Sequence, residues 1–191
     1  MDVIAAILNF DYAAALWMYQ WGGAPSLDAA AILFSWIGTL RLVALTFAVY
    51  FWFKKETRPM TYILLSSIII CTLLVYSIKI AAHRPRPFVM LRLAEADLLI
   101  RENPYTSFPS GHTAAAFATA SILSFYFKKW LIPAFAAAVC AGLARVYLLV
   151  HYPSDVVAGA VIGILISLGV IYISRRVMEK KEREKQKMLK N

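Results

Sequence analysis

Charge is scarce in this chain. Of its 191 residues only 16% are Asp, Glu, Lys or Arg, while 61% are hydrophobic, a balance outside that of soluble globular domains. Cysteine is scarcer still. Cys71 and Cys140 both fall inside apolar runs and make no motif, which argues against a disulfide and for two small buried apolar side chains. Three histidines without a cluster of carboxylates leave no metal-binding pattern. No basic stretch precedes the apolar residues after Met1-Asp2-Val3, so no secretory signal peptide is expected and insertion is expected to rest on the spans themselves. No internal repeat or low-complexity segment stands out, and the connections between apolar runs are too short for a second domain.

What is present is a series of apolar runs near the roughly 20 residues that cross a bilayer. Ser26–Phe53, Thr61–Ala82, Ser110–Phe127, Trp130–Val150 and Asp155–Ser174 read as five spans. The expected fold is all-α, a polytopic transmembrane helix bundle. Gly159 and Gly163 are spaced for close helix contact. Residues 1–25 read as an N-terminal amphipathic helix. At 100° per residue Asp2, Asn9 and Gln20 share one narrow face, and Tyr12, Trp17, Tyr19 and Trp21 suit the headgroup level. Asp11 interrupts the apolar side, which favours an interfacial helix over a sixth span. Residues 26–174 then form the membrane domain, with a long loop at 84–109, and 175–191 form a basic tail.

The net charge of +9 is not a nucleic-acid footprint. Thirteen of the twenty Lys and Arg residues fall at 54–58, 128–129 and 175–190. If the chain crosses at each apolar run, all three places lie on one side, the positive-inside pattern. The tail, interspersed with Glu179, Glu182 and Glu184, reads as a solvated cytoplasmic helix near anionic lipid. The loop 84–109 and the turn 150–155 then share the extracytoplasmic side. Within that loop, residues 91–102 read as a lid whose Leu91, Leu93, Leu98 and Leu99 dip toward headgroups while Glu95, Asp97 and Glu102 stay wet.

Three clusters carry the chemistry. Pro109-Ser110-Gly111-His112 opens a helix. A serine cap leaves backbone N–H groups free for an anion, Gly111 allows close approach, and His112 can reach whatever binds. His151 and Asp155 are four apart across Pro153, which suits a helix start. A carboxylate there can hold one imidazole nitrogen and leave the other to attack. Lys79, Arg86 and Arg145 offer fixed positive charge for phosphoryl oxygens, although interfacial cations also snorkel to headgroups. Arg84 and Arg41 are two further cations suited to a second phosphate. Arg41 could equally pair with Asp28 or a carbonyl. Charge beside a bilayer reads by default as a functional site.

Lys79-x6-Arg86-Pro87, Pro109-Ser110-Gly111-His112 and Arg145-x5-His151-x3-Asp155 together resemble, in order and spacing, the three-part signature of the type 2 phosphatidic acid phosphatase superfamily. The motifs span residues 79–155. Where that signature usually has Ser-Arg, this chain has Ala144-Arg145 and lacks one hydroxyl. The resemblance implies that His151 attacks phosphorus to form a phosphohistidine, that Asp155 orients it and that His112 protonates the leaving lipid oxygen. It implies that Lys79, Arg86, Ser110, the Gly111 amide and Arg145 hold the phosphoryl oxygens, with no metal and no other cofactor. Soluble vanadium haloperoxidases share the signature, but a chain this apolar fits the lipid branch. Its layout resembles undecaprenyl-diphosphate and phosphatidylglycerophosphate phosphatases, so the expected partners are a lipid phosphate and membrane lipids, not nucleic acid. A polyprenyl diphosphate is the expected substrate, with phosphatidylglycerophosphate or phosphatidate as alternatives. A lipid-binding or transport protein that keeps the pocket without turnover is the reading of another class, and it has no need for both histidines and Asp155.

Overall fold

The computed structural model describes residues 2–37, 48–53, 55–94 and 97–189. All regular structure among them is helical, as the apolar runs require. Helix α1 covers Val3–Tyr19, with the Asp2 side chain accepting from the Ile4 amide at 3.1 Å as its cap. Gly23, at φ 88°, takes the left-handed conformation needed to turn the chain into α2, Pro25–Ile37. Helix α3, Arg58–Ala82, begins with proline in its first turn and ends at His83. The His83 backbone is left-handed, and its N–H closes on the Lys79 carbonyl at 3.1 Å. Helix α4 is Gly111–Tyr126, α5 is Leu131–Tyr147 and α6 is Pro153–Met188.

Three stretches are long and apolar enough to cross a membrane: Lys55–Met90, Lys128–Tyr147 and Pro153–Met188. Helix α4 is shorter, 16 residues, and sits centrally, packed against α3, α5 and α6. Eleven of its residues are buried, mostly Ala, Ser and Thr. The run read as Ser26–Phe53 enters the structure as α2 and a further helical turn at 48–53, with 38–47 outside the described residues. Helix α6 continues through residue 175 without a break, so the basic tail extends the last apolar helix.

Small residues set the packing. A Cβ at Gly159 would run into the Ser110 carbonyl oxygen, and one at Gly163 into the Ala114 carbonyl oxygen. The α4 and α6 backbones therefore touch, which is how helices associate where lipid offers no hydrophobic drive. Outward-facing side chains such as Leu73, Ile132 and Leu165 are more than 60% exposed. On a membrane protein that surface faces acyl chains.

The contact between α4 and α6 also fixes the start of both helices. The Ser110 amide donates to the Asp155 carbonyl at 3.0 Å. The loop at 84–109 is tied to the same end: Arg86 N–H to Pro104 O at 2.9 Å, Ser107 N–H to Arg84 O at 3.0 Å and Phe88 N–H to Leu149 O at 3.2 Å. Leu93 and Leu98 pack inward against a buried cluster of Phe88, Ala144, Leu148 and Val150, whereas Leu99 is exposed. Of this segment's described residues, Leu93 and Leu98 are thus part of the core and Glu102 points into the protein, while Glu95 lies outside the described residues.

Candidate active site

The three sequence clusters meet at one end of the bundle around a cavity of about 370 Å³. Lys79, Arg86, Glu102, Gly111, His112 and His151 line its polar end, and Cys71, Val75 and Ala115 line a drier end running along α3 and α4. The helix starts bring His112 and His151 to this wall. His112 follows the capped start of α4, and His151 precedes α6, whose first turn carries Asp155.

His151 is 2% exposed. Its Nδ1 lies 3.4 Å from Asp155 Oδ2 and its Nε2 lies 3.4 Å from an Arg86 terminal nitrogen. A guanidinium can only donate, so Nε2 is the acceptor and the ring proton sits on Nδ1, facing the carboxylate. Burial pushes the His151 imidazole down to about 3, and the Arg86 and Arg145 charges add to that push against the pull of Asp155. The ring is a neutral base with its lone pair toward Arg86 and the cavity, the state a nucleophile needs.

Asp155 is fully buried and fully engaged. Oδ2 accepts from Ser107 Oγ at 2.5 Å, from the Tyr152 amide at 2.9 Å and from His151, while Oδ1 accepts from Arg84 at 2.6 Å. Arg84, expected to add positive charge for a second phosphate, instead spends its guanidinium on two carboxylates. Its other terminal nitrogen reaches Asp11 at 2.7 Å.

Arg86 and Arg145 are 3% and 2% exposed. Arg86 donates to the carbonyls of Asn103 at 2.7 Å and Val150 at 2.6 Å. Arg145 donates to Ser35 Oγ on α2 at 2.7 Å, and its Nε has no partner among the described residues. Glu102 bridges the two, ion-paired with Arg145 and 3.2 Å from Arg86. Burial pushes the Glu102 carboxyl up, but Arg145 and Arg86 outweigh it and hold the group below the ordinary carboxylate range. Lys79 Nζ donates to the carbonyls of Thr106 and, at 3.3 Å, Ser107. Ser110 Oγ accepts from the Thr113 amide and hydroxyl, which leaves its own proton to donate. No group of three or more His, Cys, Asp or Glu side chains is placed to hold a metal ion among the described residues.

Of the expected site residues, Lys79, Arg86, Gly111, His112 and His151 reach the cavity, with Ser110, Arg145 and Asp155 buried beside it. Arg41 lies outside the described residues, and Asp28, one partner considered for it, accepts from Tyr147 at 2.7 Å. Glu102, Ser107 and Ser35 were not legible as site residues. Ser35 brings a hydroxyl to Arg145 from a different helix, whereas position 144, where the signature has serine, is alanine.

Residues 60–179 match the family described as the PAP2 superfamily. Among curated proteins, a bacitracin transport permease protein BcrC of Bacillus licheniformis is 35% identical over 96 residues, covering 48% of this chain and 44% of that protein. An undecaprenyl-diphosphatase BcrC of Bacillus subtilis is 30% identical over 117 residues, covering 60% of this chain and 59% of that protein. The chain thus spans about half the length of these relatives. A PAP2-type phosphatidylglycerolphosphate phosphatase from Bacillus subtilis superposes with a TM-score of 0.75 at 25% identity, covering 90% of this chain and 88% of that one.

Proposed function

This chain belongs to the PAP2 superfamily, and on that footing we propose that it is an integral membrane lipid phosphatase that releases the terminal phosphate of a polyprenyl diphosphate. The observation that carries the reading is the buried His151, its Nδ1 proton toward Asp155 and its Nε2 lone pair on the cavity side. Nε2 attacks the terminal phosphorus and forms an N–P bond as the bridging P–O bond breaks. Protonated His112 gives its proton to the departing lipid oxygen. Lys79, Arg86, Ser110, the Gly111 amide and Arg145 hold the phosphoryl oxygens, and the charge of the three cations takes the part a metal plays elsewhere. Water then attacks the phosphohistidine, neutral His112 takes its proton, and inorganic phosphate leaves with His151 restored.

The diphosphatase named in Bacillus subtilis supports the polyprenyl substrate, and the phosphatidylglycerolphosphate phosphatase supports the alternative, a glycerophospholipid monoester. The positive-inside distribution of the basic clusters supports five crossings with the cavity on the extracytoplasmic face. The test is phosphate release by detergent-solubilised protein from a panel of lipid phosphates, with and without EDTA. Preference for polyprenyl diphosphate, undiminished by chelation, is the expected result. Release from glycerophospholipid monoesters alone would overturn the substrate, and loss of all release in EDTA would overturn the mechanism.

A further inference from the structure

Asp11 sits in the middle of α1, an apolar helix whose neighbouring side chains Phe10 and Tyr12 are exposed. Its own carboxylate is 1% exposed and accepts from the Ser154 amide at 3.0 Å, from the Ser154 hydroxyl and from Arg84 at 2.7 Å. The other terminal nitrogen of Arg84 donates to Asp155 at 2.6 Å and to Ser154 Oγ at 2.8 Å, and the guanidinium lies 4.2 Å over the Tyr152 ring. One cation is therefore stretched between two buried carboxylates. The first belongs to a helix outside residues 60–179, and the second faces His151.

A guanidinium facing a single carboxylate prefers the two-pronged arrangement that engages both oxygens. Here Arg84 touches only Oδ1 of Asp155, because its second prong is held by Asp11. Oδ2 is left for Nδ1 of His151, the Ser107 hydroxyl and the Tyr152 amide. We infer that Asp11 is a positioning residue for the nucleophile. By holding one prong of Arg84, it keeps that cation off Asp155 Oδ2, so the carboxylate stays turned toward the His151 ring. Removing the Asp11 charge frees Arg84 to close on both oxygens, and His151 loses the acceptor that fixes its tautomer and orientation.

The inference rests on the phosphatase reading, and the experiment separates the two. In purified full-length protein, Asp11→Asn should lower kcat roughly 10- to 100-fold, the usual cost of a lost outer-layer partner, while KM changes by less than about threefold. Arg84→Gln should mask the effect: adding Asp11→Asn to it should cost no more than about twofold further. The protein has three histidines, so 15N-histidine labelling resolves the His151 Nδ1 resonance, which should shift in Asp11→Asn while thermal stability holds. Full kcat in Asp11→Asn, a loss confined to KM or tracking unfolding, independent losses in the double variant, or an unmoved His151 resonance would each overturn the positioning role. A wild-type protein inactive on every lipid phosphate would refute the phosphatase reading, and the resonance would still decide the role of Asp11.

Discussion

Glu102 is ion-paired with Arg145 and lies 3.2 Å from Arg86, so one carboxylate joins two guanidiniums that are themselves almost fully buried. In the proposed reaction two phosphoryl oxygens need the same pair of cations. Substrate therefore competes with a side chain of the protein.

Glu102→Gln should tighten competitive inhibition by inorganic phosphate or vanadate by about tenfold, roughly 1.4 kcal/mol. Without ligand, the same variant leaves Arg86 and Arg145 uncompensated and should melt at a lower temperature, with phosphate restoring the difference. The sign with pH is set by the depressed Glu102 carboxyl. Its stabilisation is complete above the ordinary carboxylate pKa of 4.5 and is lost as pH falls through the lower folded value. Unchanged phosphate inhibition in the variant would show that Glu102 leaves the cations free.

His151→Ala should abolish turnover and the acid-labile phosphoenzyme. Because burial pushes the imidazole to about 3, it stays neutral through the ordinary histidine pKa of 6.5. The pH profile of kcat/KM should therefore show no acid-side loss near 6.5 from the nucleophile. A midpoint near 6.5 for the His151 ring in a 15N NMR titration would mean that it titrates as an exposed ring.

Cysteine labelling tests the orientation in intact cells. Tyr105, 47% exposed on the loop, and Glu56, exposed at the opposite end of α3, are the reporters. In a Cys140→Ser background, Tyr105→Cys should react with an impermeant thiol reagent and Glu56→Cys should not. The reverse pattern would invert the topology.

The seam between α4 and α6 makes a stability prediction. Gly163→Ala places a methyl against the Ala114 carbonyl and should cost about 1–3 kcal/mol, read as a fall in melting temperature of the solubilised protein. Gly159→Ala pushes on the Ser110 carbonyl and should lower kcat as well. Loss of activity from Gly163→Ala at unchanged stability would contradict that division.

Arg41 tests substrate class. If it contacts the distal phosphate, Arg41→Gln should cut kcat/KM for polyprenyl diphosphate roughly 10- to 100-fold, the size of a lost charge-assisted contact of about 1.5–3 kcal/mol. Hydrolysis of phosphatidate should fall much less. Equal losses on both would make Arg41 structural.

The helices and the central constellation were legible because they are written in local spacing. A capped Ser-Gly-His start and a His-x3-Asp turn are decided within a few residues, and the structure brings both to one cavity. What escaped the sequence depends on pairings between distant segments. Glu102 looked like one of several charges on an amphipathic loop, and only the fold sets it against Arg145, 43 residues away. Asp11 was visible as a break in an apolar face, the mark of an interfacial helix. The same mark belongs to a buried carboxylate with a cation opposite, and the two differ only in what packs alongside. Arg84 went the same way, a visible cation whose two carboxylate partners lie on distant segments.

The backbone contact at Gly159 and Gly163 has a mechanical consequence. His112 and His151 are carried at the joined ends of α4 and α6, whose main chains touch. When a bilayer thins, thickens or bends, adaptation by tilting is cheap for helices packed loosely and costly for two that touch along their main chains. On that argument the deformation should fall on the outer helices and spare the distance from His112 to His151. Turnover in vesicles of varied acyl length should then follow how readily the lipid reaches the cavity, with the chemical step itself indifferent to bilayer thickness.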